Sequence, residues 1–340
     1  MKKLLKATLA LLVVLLVVLA GAGVWAKSAS DARLGKTYET HRVDFPIPFP
    51  LSETERALVL DEKKKALPPD APADTDVSAG IDWDALAKER AIARGKHLLE
   101  ARYGCAECHG KDFGGGVMID APVLGVFLGK NLTTGKGSVT LEYQPADWDR
   151  LVRHGIKRDG HPTTMPATDF FEMTDQELSD LVSYIRSMPP VDKTVPDIKV
   201  GPLGYVLMAN GTIVVPAEMI SDHQKAHPVA PPDETSLAFG KLLAQPCVGC
   251  HRQDFSGGPI RGGDPSWAPA RNISPHADGL AGWTEAEFMK VLLTATRRDG
   301  TALKVPMTVM TPYAARMTKA EQHALFTYLQ SVPPVPTPQK

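Results

Sequence analysis

Cys105-Ala106-Glu107-Cys108-His109 and Cys247-Val248-Gly249-Cys250-His251 repeat one pattern, C-x-x-C-H, and together use all four cysteines of the chain. Two thiols at this separation can add across the two vinyl groups of a porphyrin. A histidine directly after the second thiol lies under the ring and offers its imidazole to the iron. The pattern implies two covalently bound haem c groups, held by Cys105, Cys108, Cys247 and Cys250, with His109 and His251 as axial ligands. A C-x-x-C pair also suits a zinc half-site or a redox disulfide. A zinc site built from both pairs would need segments far apart in sequence to meet. Neither chemistry asks for a histidine at the same offset twice. No cysteine remains for a structural disulfide or a catalytic thiol.

The motifs sit inside an internal repeat, with one unit over residues 84–190 and the other over 234–337. Phe113-Gly114-Gly115-Gly116 follows the first motif and Phe255-Ser256-Gly257-Gly258 the second. Asn131-Leu132-Thr133 matches Asn272-Ile273-Ser274, and recurrence at one place in each unit points to a local backbone role. Arg158-Asp159-Gly160 matches Arg298-Asp299-Gly300. Each unit then closes with a helix. Thr174 with Glu177, and Thr318 with Glu321, form Thr-x-x-Glu capping boxes. Leu178, Leu181, Val182 and Ile185 recur on one helical face, as do Leu325, Phe326 and Leu329. Pro189-Pro190 and Pro333-Pro334 end these helices, because proline disfavours helix in the residue before it. An opening helix is predicted over Lys88 to Ala101 in the first unit and Leu237 to Leu243 in the second. The fold expected is all-α, one helical unit built twice.

Opening helix, C-x-x-C-H, loops and closing helix resemble a class I c-type cytochrome, and the resemblance covers both units. In that family the opening and closing helices cross near a small residue and an aromatic. Gly95 with Tyr184, and Gly240 with Tyr328, occupy those places. The family also supplies a methionine opposite the histidine, in a Met-Pro loop before the closing helix, which raises the reduction potential and closes the iron to small ligands. Met165-Pro166 matches that loop, so the resemblance implies Met165 as the first unit's sixth ligand, ahead of Met118 and Met173. The second unit has no Met-Pro pair. Spacing from His251 favours Met307 and spacing from the closing helix favours Met310. Met310 is preferred, because the helix is the rigid reference. Trp148 and Trp283 are equally suited to pack in the core or to donate to a haem propionate.

The chain starts with Lys2, Lys3 and Lys6, and Ala7 to Ala26 then carries no charge. That run can cross a bilayer as a helix. A secretory signal would have a shorter apolar core and a cleavage site, for which Val24-Trp25-Ala26 is an imperfect match. Residues 1–26 are read as a membrane anchor in preference to a signal. Either fate places the rest on the periplasmic side of the bacterial inner membrane, where covalent haem attachment belongs. Residues 27–83, with Phe45-Pro46-Ile47-Pro48-Phe49-Pro50, read as an extended spacer holding one short helix near Glu53 to Lys65. Residues 191–233 read as a linker that packs on both units. In it, Gly201-Pro202-Leu203-Gly204 starts a turn, Gly211 to Val215 is a candidate extended stretch, and His223 and His227 are spare histidines.

Net charge is −1 over 340 residues, so nucleic acid is not an expected partner. A two-haem relay for single electrons fits best, because the haem carries the redox chemistry and the protein positions it. The units are similar to those in the cytochrome subunits of periplasmic alcohol, aldehyde and gluconate dehydrogenases. Such subunits commonly carry three units, whereas this chain has two and places its apolar segment first. The resemblance implies a dehydrogenase or quinol oxidiser as donor and a terminal oxidase or soluble cytochrome as acceptor. The alternative is a haem enzyme, a di-haem peroxidase or a thiosulfate-oxidising cytochrome. A peroxidatic iron needs an opening site and a thiosulfate enzyme of that kind a cysteine ligand. The loop methionines and the absence of a spare cysteine argue against both.

Overall fold

A charge-free run has no reason to bend in an apolar medium, and the chain begins with one long helix, α1 (Lys2–Leu34). Its leucines and valines from Leu4 to Val24 stand exposed. Among the described residues it is the helix long and apolar enough to cross a membrane, with a mean hydropathy of 2.8. The structure, a computed structural model, describes residues 2–72, 74–260, 263 and 266–339.

The lead that follows is a strap rather than a spacer. Tyr38 N–H donates to the Gly160 carbonyl at 3.0 Å, and Ser179 Oγ–H to the Pro46 carbonyl at 2.8 Å. Phe45 and Leu51 are buried. The prolines keep this stretch extended, so its backbone groups find partners on the first unit instead of in a helix. The predicted short helix is present as α2 (Glu53–Lys65), capped by Ser52 and Glu55.

The first unit opens with α3 (Trp83–Ala101), capped by Asp82, and continues into the short α4 (Cys105–His109). Two strands come next, β1 (Gly116–Ala121) and β2 (Gly125–Gly129), paired antiparallel with an irregularity between Val117 and Ile119. Then come α5 (Pro145–Val152) and the closing α6 (Asp175–Ser187), whose Thr174–Glu177 capping box forms as expected. In the linker, β3 (Lys199–Val200) adds to β2, and α7 (Pro202–Ala209) follows. The all-α expectation therefore holds with one addition, a three-stranded sheet on the first unit. Gly201-Pro202 starts a helix rather than a turn, with proline in its first turn, where the missing N–H costs nothing. The stretch Gly211 to Val215 is irregular, not a strand.

The second unit has α8 (Leu237–His251), α9 (Glu285–Thr294), the short α10 (Thr311–Ala314) and the closing α11 (Lys319–Ser331). Its opening helix runs through Pro246 into the C-x-x-C-H motif, longer than predicted, whereas the first unit breaks between α3 and α4. The Arg-Asp-Gly repeats are matched turns: Gly160 and Gly300 take φ of 85° and 80°. Each turn is closed by a backbone bond, Lys157 to His161 and Arg297 to Thr301.

Each core lies between opening and closing helices. Leu98, Phe113, Trp148, Leu178, Leu181 and Ile185 fill the first, and Phe239, Leu243, Phe255, Phe288, Leu325 and Leu329 the second. The helices cross at the predicted glycines. A Cβ on Gly95 would lie 2.0 Å from the Asp180 carbonyl oxygen, and one on Gly240 would lie 2.3 Å from that of Ala324. The tyrosine partners are there too: Tyr184 Cβ at 2.9 Å and Tyr328 Cβ at 2.6 Å. These contacts are backbone, so an added methyl must push two helices apart. Gly95→Ala and Gly240→Ala are each expected to lower unfolding free energy by about 3 kcal/mol, the upper range for overpacking. Denaturant melts of the haem-loaded protein measure this; a loss under about 0.5 kcal/mol would mean the helices slide at no cost.

Candidate functional site

Each motif histidine is oriented by a backbone carbonyl. His109 Nδ1–H donates to the Lys130 carbonyl at 2.8 Å, and His251 Nδ1–H to the Arg271 carbonyl at 2.7 Å. That bond fixes the tautomer and leaves Nε2 as the bare nitrogen, the arrangement of a metal-ligating imidazole. Burial pushes both rings below the ordinary histidine pKa, with the carbonyl bond offsetting part of the shift. They are neutral at physiological pH.

The two carbonyls belong to the residues just before Asn131 and Asn272. Asn131 Nδ2 donates to the Val191 and Lys193 carbonyls at 2.7 and 3.0 Å, and its Oδ1 accepts from Thr133 N–H at 2.9 Å. Asn272 repeats this with the Val335 carbonyl at 2.7 Å and Ser274 N–H at 2.8 Å. The asparagines therefore have the backbone role that their recurrence suggested. They clamp the loop to the tail that leaves the closing helix. The glycine clusters turn the chain under the motif: the His109 carbonyl accepts from Gly115 N–H at 2.9 Å and the His251 carbonyl from Gly257 N–H at 3.1 Å. Phe113 and Phe255 adopt φ of 55° and 59°, uncommon for aromatic residues and matched between the units.

The four cysteines are free and half-buried, each pair on the helix that carries its histidine. Cys105 and Met165 both pack against the first core, as Cys247 does against the second. Met165 follows the loop that returns from α5 and precedes a 3-10 turn, Ala167–Asp169. Met173 is buried in the core and Met118 is exposed on β1. Met307 and Met310 form the two ends of one 3-10 turn, Met307–Met310, which runs directly into α10.

These residues fit haem c. Two pairs of free thiols stand beside bare imidazole nitrogens with apolar walls. The buried Trp148 Nε1–H has no partner among the described residues, and a propionate would supply its acceptor. Trp283 instead lies half-buried beside the Arg298 guanidinium, 5.0 Å from ring centre.

The units meet reciprocally. The loop after Met165 sits on the second motif: Gln245 Nε2–H donates to the Thr168 carbonyl at 3.2 Å, and Asp169 Oδ1 lies 3.0 Å from where a Cβ on Gly249 would be. Burial there pushes the Asp169 carboxyl up to about 6. The loop after Met310 sits on the first motif: Tyr313 O–H donates to Glu107 at 2.8 Å. Between them the buried Arg102 guanidinium donates to Glu177 and, at 3.2 Å, to Glu321, the capping-box carboxylates of the two closing helices. His97 Nε2 lies 2.9 Å from Glu321.

The Cytochrome c family model matches residues 92–189 and 238–333, one motif in each stretch. The chain belongs to the cytochrome c family, and its domains indicate covalently bound haem c. The "Alcohol dehydrogenase (quinone), cytochrome c subunit" of Gluconacetobacter polyoxogenes is 30% identical over 271 residues, covering 72% of this chain and 57% of that protein. The "Gluconate 2-dehydrogenase cytochrome c subunit" of Pantoea cypripedii is 24% identical over 286 residues, covering 74% and 63%. The "Fructose dehydrogenase cytochrome subunit" of Gluconobacter japonicus is 26% identical over 269 residues, covering 73% and 54%. The chain thus spans a little over half the length of these curated relatives.

The pH dependence of the interface follows from its charges. The Glu321 hydrogen bond raises His97 above 6.5, against burial, so its stabilisation is whole below 6.5 and is lost as pH rises through the higher folded value. Burial would raise Glu321, but His97, the Thr318 amide and Arg102 hold it down from 4.5 to about 2, so its contribution is lost as pH falls from 4.5 towards 2. The pair is strongest between about 4.5 and 6.5. His97→Gln should therefore melt below wild type most clearly in that window, with the gap narrowing at higher pH. A gap that does not change with pH in thermal melts would contradict this.

Proposed function

We propose that this chain is a di-haem c electron carrier on the periplasmic side of a bacterial inner membrane, held there by α1. It takes single electrons from a dehydrogenase or quinol oxidiser and passes them to a terminal oxidase or soluble cytochrome. The observation that carries the proposal is the matched orientation of the motif histidines: in both units a neutral imidazole donates Nδ1–H to a backbone carbonyl and keeps Nε2 free. Bound haem supplies one-electron redox chemistry at each site. Cys105 and Cys108, with Cys247 and Cys250, would tether it, and His109 and His251 would ligate its iron.

Met165 is the proposed sixth ligand in the first unit, and its packing against the core beside Cys105 supports this. Met310 is the proposed ligand in the second. A thioether from each loop would close its iron to small ligands, as a carrier requires. Each ligand loop packs on the other unit's motif, so the two motifs are held near one another, which favours transfer between haems. The names of the relatives support a dehydrogenase as donor.

Intact mass of the exported protein is expected to exceed the polypeptide by two haems. A gain of one haem in fully matured protein would refute the two-haem proposal. Met165→Ala should halve the weak red-end absorbance of methionine bound to ferric iron, lower one potential by on the order of 0.2 V, and admit carbon monoxide. Met310→Ala should remove the other half, and Met307→Ala should leave the band intact. The reverse pattern would move the role to Met307; an undiminished band in both would mean that the second iron has another ligand or none.

A further inference from the structure

Four histidines that belong to neither motif meet in one pocket between the strap, α5 and the linker. His41 comes from the strap, His154 lies just past α5, and His223 and His227 lie in the linker. Nitrogens of His41, His154 and His227 all lie within 4.8 Å of one another. His154 is 0% exposed and His227 8%. The three rings make a near-equilateral triangle, with centroids 5.5, 5.6 and 5.7 Å apart. His41 Nδ1, His154 Nε2 and both nitrogens of His227 are buried with no hydrogen-bond partner among the described residues. A buried imidazole without partners is costly, and three together are not a packing accident.

His223 Nε2–H donates to the Ala217 carbonyl at 3.0 Å. Its Nδ1 is then the acceptor for His154 Nδ1–H, 3.1 Å away. His154 is left with a bare Nε2 lone pair, which faces Asp149 Oδ2 at 3.7 Å. That oxygen is also buried and unpartnered among the described residues. Two acceptors facing each other are unfavourable unless a proton on the carboxyl or a metal ion lies between them.

The surrounding charge agrees. Arg153 is shared between Asp149 at 3.0 Å and Asp175 at 2.7 Å, so two carboxylates stand against one guanidinium. The neighbouring Lys225 is paired with Glu172 at 2.7 Å and Arg150 with Asp147 at 3.3 Å. Lys36 lies over the Tyr38 ring at 4.8 Å. Three imidazoles beside a carboxylate oxygen without a partner among the described residues suit a dication.

We propose that His41, His154 and His227 bind one divalent transition-metal ion of the zinc or copper class, with Asp149 as the fourth ligand. Imidazole-rich donor sets select these ions over magnesium or calcium. Tetrahedral donors at zinc bond lengths sit ~3.3 Å apart, so the ligand nitrogens close by up to about 1.5 Å on binding. The ion is separate from both haem irons, and it pins strap and linker to the first unit.

The test uses the full-length, haem-loaded protein, stripped with a chelator and dialysed against micromolar Zn2+ or Cu2+. Elemental analysis is expected to find one added ion per chain. The zinc absorption edge should show three nitrogens and one oxygen at about 2.0–2.1 Å. His41→Gln and His227→Gln should each cut occupancy tenfold or more at the same free metal. Unchanged haem content and Soret absorbance certify folding; if His227→Gln does not mature, His41→Gln on the half-buried strap decides. Wild type that takes up neither ion, or variants that bind as wild type does, would overturn the proposal.

Discussion

The bond from each motif imidazole to a backbone carbonyl is the constraint from which each unit is built. A ring free to rotate would present either nitrogen to the iron. The Lys130 and Arg271 carbonyls remove that freedom. A carbonyl can aim only if its own loop is fixed, and here the asparagine that follows it does the fixing. Asn131 satisfies two carbonyls of the tail beyond α6, and Asn272 reaches the tail beyond α11. The tails are held straight by Pro-Pro, which cannot continue the helix. Closing helix, proline stop, asparagine, carbonyl and imidazole form one chain of dependence, present twice.

A second constraint sets the units against each other. Arg102 is buried, and its two partners are carboxylates that already cap the closing helices. Burying three charges costs much of what their attraction returns, so the cluster adds little net stability. Its effect is geometric. Only one placement of α11 on the first unit lets Glu321 meet both Arg102 and His97 while keeping its bond to Thr318. A greasy interface would let the units slide; this one fixes how the two motif-bearing units sit against each other.

What was legible in the sequence was what is local. The C-x-x-C-H motifs, capping boxes, proline stops and glycine crossings each act within a few residues or repeat at a fixed place, so pattern alone exposes them. The sheet was missed because β1 and β2 are short and carry little alternation, and β3 is two residues long and pairs across a long gap. The strap was misread for a related reason. Pro46, Pro48 and Pro50 announce an extended chain, but not whether its backbone is solvated or paired with Gly160 and Ser179. Of the four histidines only His223 and His227 are near in sequence; His41 and His154 come from separate segments, and no window on the sequence contains the cluster.

The strap also changes how α1 relates to the haem units. A flexible spacer of Gly/Ser type would let them wander on a random-coil tether. Here α1 runs unbroken to Leu34 and its last turns dock on α7: Ser30 Oγ–H donates to the Tyr205 carbonyl at 2.9 Å, and Arg33 reaches the Met208 carbonyl and Glu218. Ala26 and Ser30 are fully buried in that contact. From Leu34 the chain passes into the strap, which bonds to the first unit at Tyr38 and to the linker at His41 before α2 begins. The apolar helix and the first unit are therefore coupled by packed surfaces rather than by loose chain. The orientation of α1 and that of the first motif are not independent, and the second motif inherits the same frame through Arg102.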